Sequence, residues 1–284
     1  MGVVVTGTSG FIGSNLALKF DNPLMCDIKQ GLSEPLKTAM LINNPKNKID
    51  AVYHLGAISS TTETDIASIS FHNIHYPCQL LDICISRQIP FIYASSASVY
   101  GLGEFGFSED SRLNPLNYYA ISKASFDTIA RQKMLDHPHA KIVGLRYFNV
   151  YGHNEDHKAD MASPVHKFLL QSKNGKIKIF EGSENFRRDF IHVNDVVDIT
   201  KAAVDFGSGI YNVGTGHSRT FLEVAEIISD ITGAKIEEIP FPDHLVGKYQ
   251  DFTCSDNDEI NNFYKIERMS LEDGIRKVYE DRLC

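Results

Sequence analysis

The chain predicts an α/β protein: a Rossmann-like, doubly wound parallel sheet with a smaller C-terminal substrate-binding lobe. Three observations carry that prediction. A β-branched run, Val3-Val4-Val5-Thr6, ends in the glycine-rich turn Gly7-Thr8-Ser9-Gly10-Phe11-Ile12-Gly13. Short apolar strands then alternate with helical spacings as far as residue 150, the pattern of a parallel sheet covered on both faces. The length, 284 residues with 43% hydrophobic and 23% charged side chains, is ample for a sizeable core.

Taken in order, 3–6 reads as the first strand and 11–20 as the helix that the glycine turn opens. A second strand, 24–26, ends at Asp27. Residues 28–49 hold one helix, 35–42, and no convincing strand, although a full dinucleotide fold has a third strand on this adenine side. That edge of the sheet is expected to be shortened or missing. The next strand is 51–55. Residues 64–88 have helical spacing, with Ile66, Ile69, Leu80, Leu81 and Ile85 as core positions. A strand over 90–94 opens onto a serine-rich loop, and 117–135 and 142–147 follow as helix and strand. After Asn149 the alternation loosens. Helices are expected over 163–171, from 194, over 220–232 and over 271–280, and strands over 176–180, 189–192 and 209–213. The division is therefore a dinucleotide-binding domain over 1–150, its sheet completed by parts of 189–215, and a mainly substrate-binding lobe over 151–284, interleaved with it.

Composition excludes several functions. A net charge of −8 argues against nucleic-acid binding, which needs a basic face. The five cysteines are scattered and form no C-x-x-C pair, so they read as reduced thiols of a cytoplasmic protein, not as a disulfide frame or a zinc site; no metal is expected. The chain starts directly on a strand, and no signal peptide is expected. No apolar run approaches the roughly 20 residues that span a bilayer, so no membrane role is expected.

The glycine turn follows a strand and opens a helix, the context in which such a pattern binds a dinucleotide. Gly7, Gly10 and Gly13 let backbone approach a pyrophosphate, and the first helical amides supply donors. Asp27, at the end of the second strand, is placed to accept hydrogen bonds from an adenosine ribose, which favours NAD. The nearby Lys29 would favour NADP, and these residues leave the choice open.

Of the twelve tyrosines, only Tyr119 has lysine four positions later, Lys123. On a helix both face one side, a turn apart. A nearby ammonium favours the phenolate and so lowers a pKa that starts near ~10, making Tyr119 a base near neutral pH. Ser96 is the chosen hydroxyl partner; Ser95 and Ser98 stay open as alternatives. A phenol, an ammonium and a hydroxyl beyond a dinucleotide turn are what reversible hydride transfer at a carbinol requires.

These residues, with Ala94-Ser95-Ser96-Ala97 and Arg146-Tyr147-Phe148-Asn149-Val150-Tyr151-Gly152, resemble the extended short-chain dehydrogenase/reductase family over nearly the whole chain. Within it, the stretches 157–163, 180–190, 239–243, 247–250 and 59–63 are similar to the ADP-L-glycero-D-manno-heptose 6-epimerases. The resemblance implies inversion at C6 of an ADP-heptose, tightly held NADP (NAD as the alternative), an isomerase serving lipopolysaccharide biosynthesis, and a homo-oligomer. By matching position it implies Tyr119 and Lys158 as the two acid/base groups. Lys123, Asn73, Phe11, Ile12, Val150 and the turn carrying Leu55, Gly56, Ala57 and Ser59 would surround the cofactor. Asn149, Asp160, His166, Phe180, Glu181, Gly182, Ser183, Arg188 and Tyr249 would line the nucleotide-sugar site. Departures from the family pattern are Leu55 in place of a glutamate, Ile28 in place of an asparagine, Asp160 in place of a small polar residue, and a one-residue gap around 164–167. Other readings are a UDP-hexose 4-epimerase of the same fold and a non-catalytic nucleotide sensor.

Overall fold

A computed structural model of the chain describes residues 2–28, 34–102, 106–242, 250–265 and 267–283. Its centre is a six-stranded parallel sheet in the order β2-β1-β3-β4-β5-β9. The strands are β1 (Gly2–Thr6), β2 (Leu24–Cys26), β3 (Ile49–His54), β4 (Phe91–Ser96), β5 (Ile142–Tyr147) and β9 (Gly209–Val213). Alternating residues of each strand point to opposite faces. Val5, Tyr53, Ile92 and Val143 pack under α1 (Phe11–Ala17) and α7 (Val193–Ala202). Val4, Val52, Phe91 and Ile142 pack under α2 (Glu34–Asn43), α4 (Tyr76–Ser86) and α5 (Tyr118–Asp136). Both faces are covered, as a parallel sheet requires.

The adenine side is shortened, as the sequence suggested. From β2 the chain passes through α2 straight to β3 on the far side of β1, so β2 is the sheet's outer strand among the described residues. The order reverses between β1 and β3, and that switch point is where a doubly wound sheet opens a crevice for a ligand.

The long helical stretch of the sequence is in three parts. α3 (Ile66–Ser70) runs into a π-helical turn, Phe71–His75, and then α4. Ile69, Leu80 and Leu81 are buried as expected. Ile66 is 54% exposed: it is the first residue of α3, beside the exposed N-cap Asp65, and the buried face begins one turn later.

The second half adds two small sheets. β6 (Asn149–Tyr151), β8 (Arg187–His192) and β10 (Ser218–Thr220) form one; β7 (Lys176–Phe180) and β11 (Lys235–Ile239) form the other. Their core is closed by α6 (Pro164–Ser172), α8 (Phe221–Thr232) and α10 (Leu271–Glu280), with Val165, Phe190, Val224 and Ile275 buried together. α9 (Asp258–Asn261) buries Ile260 against the main sheet. Strands β6, β10 and β11 have no counterpart in the sequence reading; each is short or polar, and each exists through its pairing partners. Among the described residues no helix is long and apolar enough to cross a membrane.

Candidate active site

The carboxyl ends of β1, β3 and β4 open into one cleft of about 780 Å³. Its floor is the glycine turn. Gly7 has φ +74°, and a Cβ there would stand 2.6 Å from the Gly56 nitrogen; one on Gly13 would stand 2.1 Å from the Gly7 carbonyl oxygen. The turn after β1 thus packs directly on the turn after β3, which only glycine permits. The Gly7 N–H bonds Cys26 O at 2.9 Å, and Ser9 N–H donates to Asp27 Oδ2 at 2.8 Å, so the end of β2 fixes the turn's shape. Gly10 precedes α1 as its N-cap and offers no side chain to its first amides. A turn of this shape can hold a pyrophosphate and an adjoining ribose.

A buried histidine supports the floor from below. His54 Nδ1 lies 2.8 Å from Thr6 Oγ1, which also accepts the Gly56 N–H at 3.2 Å. Burial, reinforced by the positive charge of Lys123, pushes His54 down to about 3, so the ring is neutral.

On the opposite wall, the Asn117 side chain caps α5 by accepting the Ala120 N–H at 2.9 Å, and the next turns bring Tyr119 and Lys123 into the cleft. Ser96 stands beside the Tyr119 phenol and favours its ionised form, and Ser96 Oγ accepts the Ser98 N–H at 3.2 Å. The hydroxyls of Ser95 and Ser98 are buried without protein partners; Ser96 is the serine in contact with the phenol. Lys123 Nζ donates to the Ala94 carbonyl at 2.8 Å and is 6.0 Å from the Tyr119 ring centroid. Burial pushes the Tyr119 phenol up, against the pull of Ser96, and pushes Lys123 down to about 8, opposed by Asp127. Burial thus opposes the lowering of the phenol's pKa that the sequence predicts from Lys123, and Ser96 acts in the lowering direction.

Asp127 and Arg146 anchor α5 to the sheet. They pair at 2.8 Å, each side chain 1% exposed, and Tyr93 and Tyr100 complete the cluster. Holding α5 this rigidly fixes where Tyr119 and Lys123 can reach.

The third wall comes from the second half. Asn149 and Val150 of β6, Arg188 of β8, and Lys158 and Asp160 of the loop between β6 and α6 all face the cleft. Lys158 Nζ lies 4.7 Å from the centroid of the Phe11 ring. The cleft thus brings together Gly7, Gly10, Phe11, Ile12, Gly13, Asp27, Leu55, Gly56, Ala57, Ser59, Ser96, Tyr119 and Lys123 with these lobe residues.

Residues 35–214, well over half of the chain, match the NAD dependent epimerase/dehydratase family. The chain belongs to that family. It is 40% identical to an ADP-L-glycero-D-manno-heptose-6-epimerase of Brachyspira hyodysenteriae (strain ATCC 49526 / WA1), over 98% of this chain and 96% of that protein. The crystal structure of Helicobacter pylori ADP-L-glycero-D-manno-heptose-6-epimerase superposes with TM-score 0.82 at 29% identity, over 99% of this chain and 95% of that one. A UDP-N-acetylglucosamine 4-epimerase from Methanobrevibacter ruminantium M1 shares the fold, with TM-score 0.86, 24% identity and coverage of 99% and 98%. A nicotinamide cofactor goes with membership of this NAD dependent family, and the glycine cradle is shaped to hold one.

Several expected site residues of this family member lie elsewhere. His166 does not line the cleft: it is buried and meets Arg282 and, at 3.7 Å, Asp156. Its neighbour Lys167 faces the cleft instead, because one step along α6 turns the side chain by about 100°. The Phe180–Ser183 run, expected at the substrate, is not on the cleft among the described residues either. It forms a tight turn packed on the end of β11, with Glu181 N–H bonding Ile239 O and Phe180 against Phe241. Asn73 stands behind the wall: it accepts the Ile58 N–H, donates to Ile58 O and Ser122 Oγ, and so ties the turn after β3 to α5. Tyr249 and Lys29 lie outside the described residues.

The sequence reading missed Thr6 and His54 beneath the glycine turn, Lys167, and Glu34 and Thr38, which line the β2 end of the cleft. A polar residue closing an otherwise apolar strand, such as His54, is the one signal among these that was visible beforehand.

Proposed function

We propose that this chain is an ADP-L-glycero-D-manno-heptose 6-epimerase. It inverts C6 of the heptose in ADP-D-glycero-D-manno-heptose through a transient 6-ketone, with NADP held throughout. The observation that carries this reading is that Tyr119 and Lys158, two groups able to exchange a proton, stand on different walls of the one cleft that also holds the glycine cradle. The full-length similarity to enzymes of that name supports it.

The chemistry asks for two such groups. When bound, the nicotinamide supplies the hydride acceptor and donor. Tyr119, oriented by Ser96, exchanges a proton with the sugar oxygen when one face of C6 is presented. Turning the ketone to present its other face moves that oxygen, and Lys158 serves it there. The carbinol loses a hydride and a proton and regains both, so no net oxidation occurs. Lys123 and Val150 would hold the cofactor, Arg188 would take the diphosphate, and Asn149 and Asp160 would shape the sugar end.

A second reading, NAD in place of NADP, is favoured by Asp27 and Glu34 at the β2 end of the cleft, since acids there accept from ribose hydroxyls and repel a 2′-phosphate. Parallel titration of the two dinucleotides separates the readings. The function itself is tested by incubation with ADP-D-glycero-D-manno-heptose and NMR of the C6 centre. Epimerisation without cofactor consumption is expected; no change at C6 with either dinucleotide rejects the proposal.

A further inference from the structure

Glu155 lies just after β6, fully buried, and belongs to none of the groups discussed so far. Four donors converge on its carboxylate. The Gly152 N–H and Ser163 hydroxyl bond Oε1 at 3.1 and 2.7 Å, and the Ser163 N–H bonds Oε2 at 2.7 Å. These three tie together the two ends of the loop that carries Lys158. The fourth is Lys158 Nζ itself, 3.1 Å from Oε2.

Two further features show how tightly the loop is set. Between the tied ends, Ala159 has φ +45°, a left-handed conformation that L side chains rarely adopt. On its other side, the Lys158 ammonium packs over the Phe11 ring at 4.7 Å. The ammonium is therefore gripped between a buried carboxylate and an aromatic face of α1. A carboxylate needed only to close the loop is satisfied by the three loop donors; the lysine contact adds a counter-charge that the buried anion requires and restricts where the side chain can reach.

We infer that Glu155 is a positioning residue for Lys158: its carboxylate sets the ammonium at the cleft wall, within reach of the sugar oxygen. The inference rests on the reading of Lys158 as a proton-exchanging group. Proton transfer needs heavy atoms within about 2.6–3.2 Å, so a lysine released from this grip loses rate more than affinity.

The test uses the full chain as Glu155→Gln, Glu155→Asp, Lys158→Met and the Glu155→Gln/Lys158→Met double variant. Conversion of ADP-D-glycero-D-manno-heptose is followed by NMR, with incubations long enough to register slow turnover, alongside thermal unfolding and ADP titration. Glu155→Gln is expected to keep ADP affinity within about two-fold while kcat falls roughly 10- to 100-fold. In the Lys158→Met background the same substitution is expected to cost nothing further, because the residue acts through the lysine. An equal loss of kcat in both backgrounds, or a Glu155→Gln enzyme at parental kcat, overturns the inference. Should Glu155→Gln fail to fold, Glu155→Asp, which keeps the charge but withdraws it by one methylene, is expected to lose kcat with KM unchanged, and parental kcat there overturns the inference equally. A Lys158→Met enzyme of parental speed removes the reading of Lys158 itself, and with it the inference.

Discussion

The ammonium of Lys123 bonds the Ala94 carbonyl at 2.8 Å and keeps 6.0 Å from the centre of the Tyr119 ring one helical turn away. The two side chains share a face of α5 yet do different work. Lys123 ties the helix to the end of β4, while Tyr119 stands beside Ser96, the last residue of the same strand. In the proposed reaction Ser96 would favour the phenolate of Tyr119, and Lys123 would hold the cofactor.

This arrangement makes Tyr119→Phe informative. The ring and its packing stay, and the proton-exchanging oxygen goes. The expected loss in kcat is about 10²- to 10⁴-fold, with ADP affinity and thermal stability little changed. Steady-state kinetics and an ADP titration check it; a variant with more than a tenth of parental kcat contradicts the role.

Lys123→Met separates stability from function. Burial holds the Lys123 pKa at about 8, below its ordinary value of 10.5. A group so depressed carries its ammonium at a cost below pH 8, and the cost is relieved as pH rises from 8 to 10.5. At pH 7, an apolar isostere is expected to leave the protein more stable by about 1–2 kcal/mol, after loss of the Ala94 hydrogen bond. Dinucleotide affinity and turnover should both fall. Thermal unfolding and a dinucleotide titration test this; a lower Tm would show that the Ala94 bond outweighs the cost of burying the charge.

Gly13→Ala probes the cradle. Its Cβ would meet the Gly7 carbonyl oxygen at 2.1 Å, so the turn between β1 and α1 has to move. A loss of about 1–3 kcal/mol in stability is expected, with a larger loss in dinucleotide affinity than in ADP affinity. An alanine variant with parental dinucleotide binding would show that the turn does not carry the cofactor.

Acid sensitivity should trace to two buried rings. His54 and His192 are held neutral by burial, down to about 3 and about 4. Their folded-state pKa values lie below the ordinary 6.5, so the unfolded chain takes up these protons first. The stability they confer is complete above pH ~6.5 and is lost as pH falls from there towards 3. Unfolding free energy measured by urea at pH 7.5, 6 and 5 should decline, and His54→Gln should flatten that slope by about one proton. An unchanged slope would mean that His54 takes up its proton over the same pH range in the fold as in the unfolded chain.

Much of this was written in the chain. The parallel sheet was legible because its strands are short apolar runs that end at Gly7, Asp27 and Ser95, and the lack of a further adenine-side strand among the described residues was legible from the absence of such a run over 28–49. Tyr119 was legible from the lysine one turn along its helix, whereas the choice of Ser96 over Ser95 and Ser98 was not, because all three sit together at one strand end. The lobe was harder to read. β10 and β11 are polar segments that exist through pairing across tens of residues, which no local pattern encodes. The choice between His166 and Lys167 turns on one residue of helical phase, below what spacing can resolve. Asn73 shows the same limit: the family resemblance implied a cofactor contact, while its hydrogen bonds go to Ile58 and Ser122 behind the cleft wall.

The most direct test of transient oxidation at C6 is to run the epimerisation in D₂O and read the isotope at C6 by NMR. Hydride that leaves the carbon and returns to it predicts a product carrying protium at C6, with NADP unconsumed. Deuterium appearing at C6 would mean that the carbon exchanges a proton with solvent, and the account of Tyr119 and Lys158 as acid/base partners of a returning hydride would be wrong.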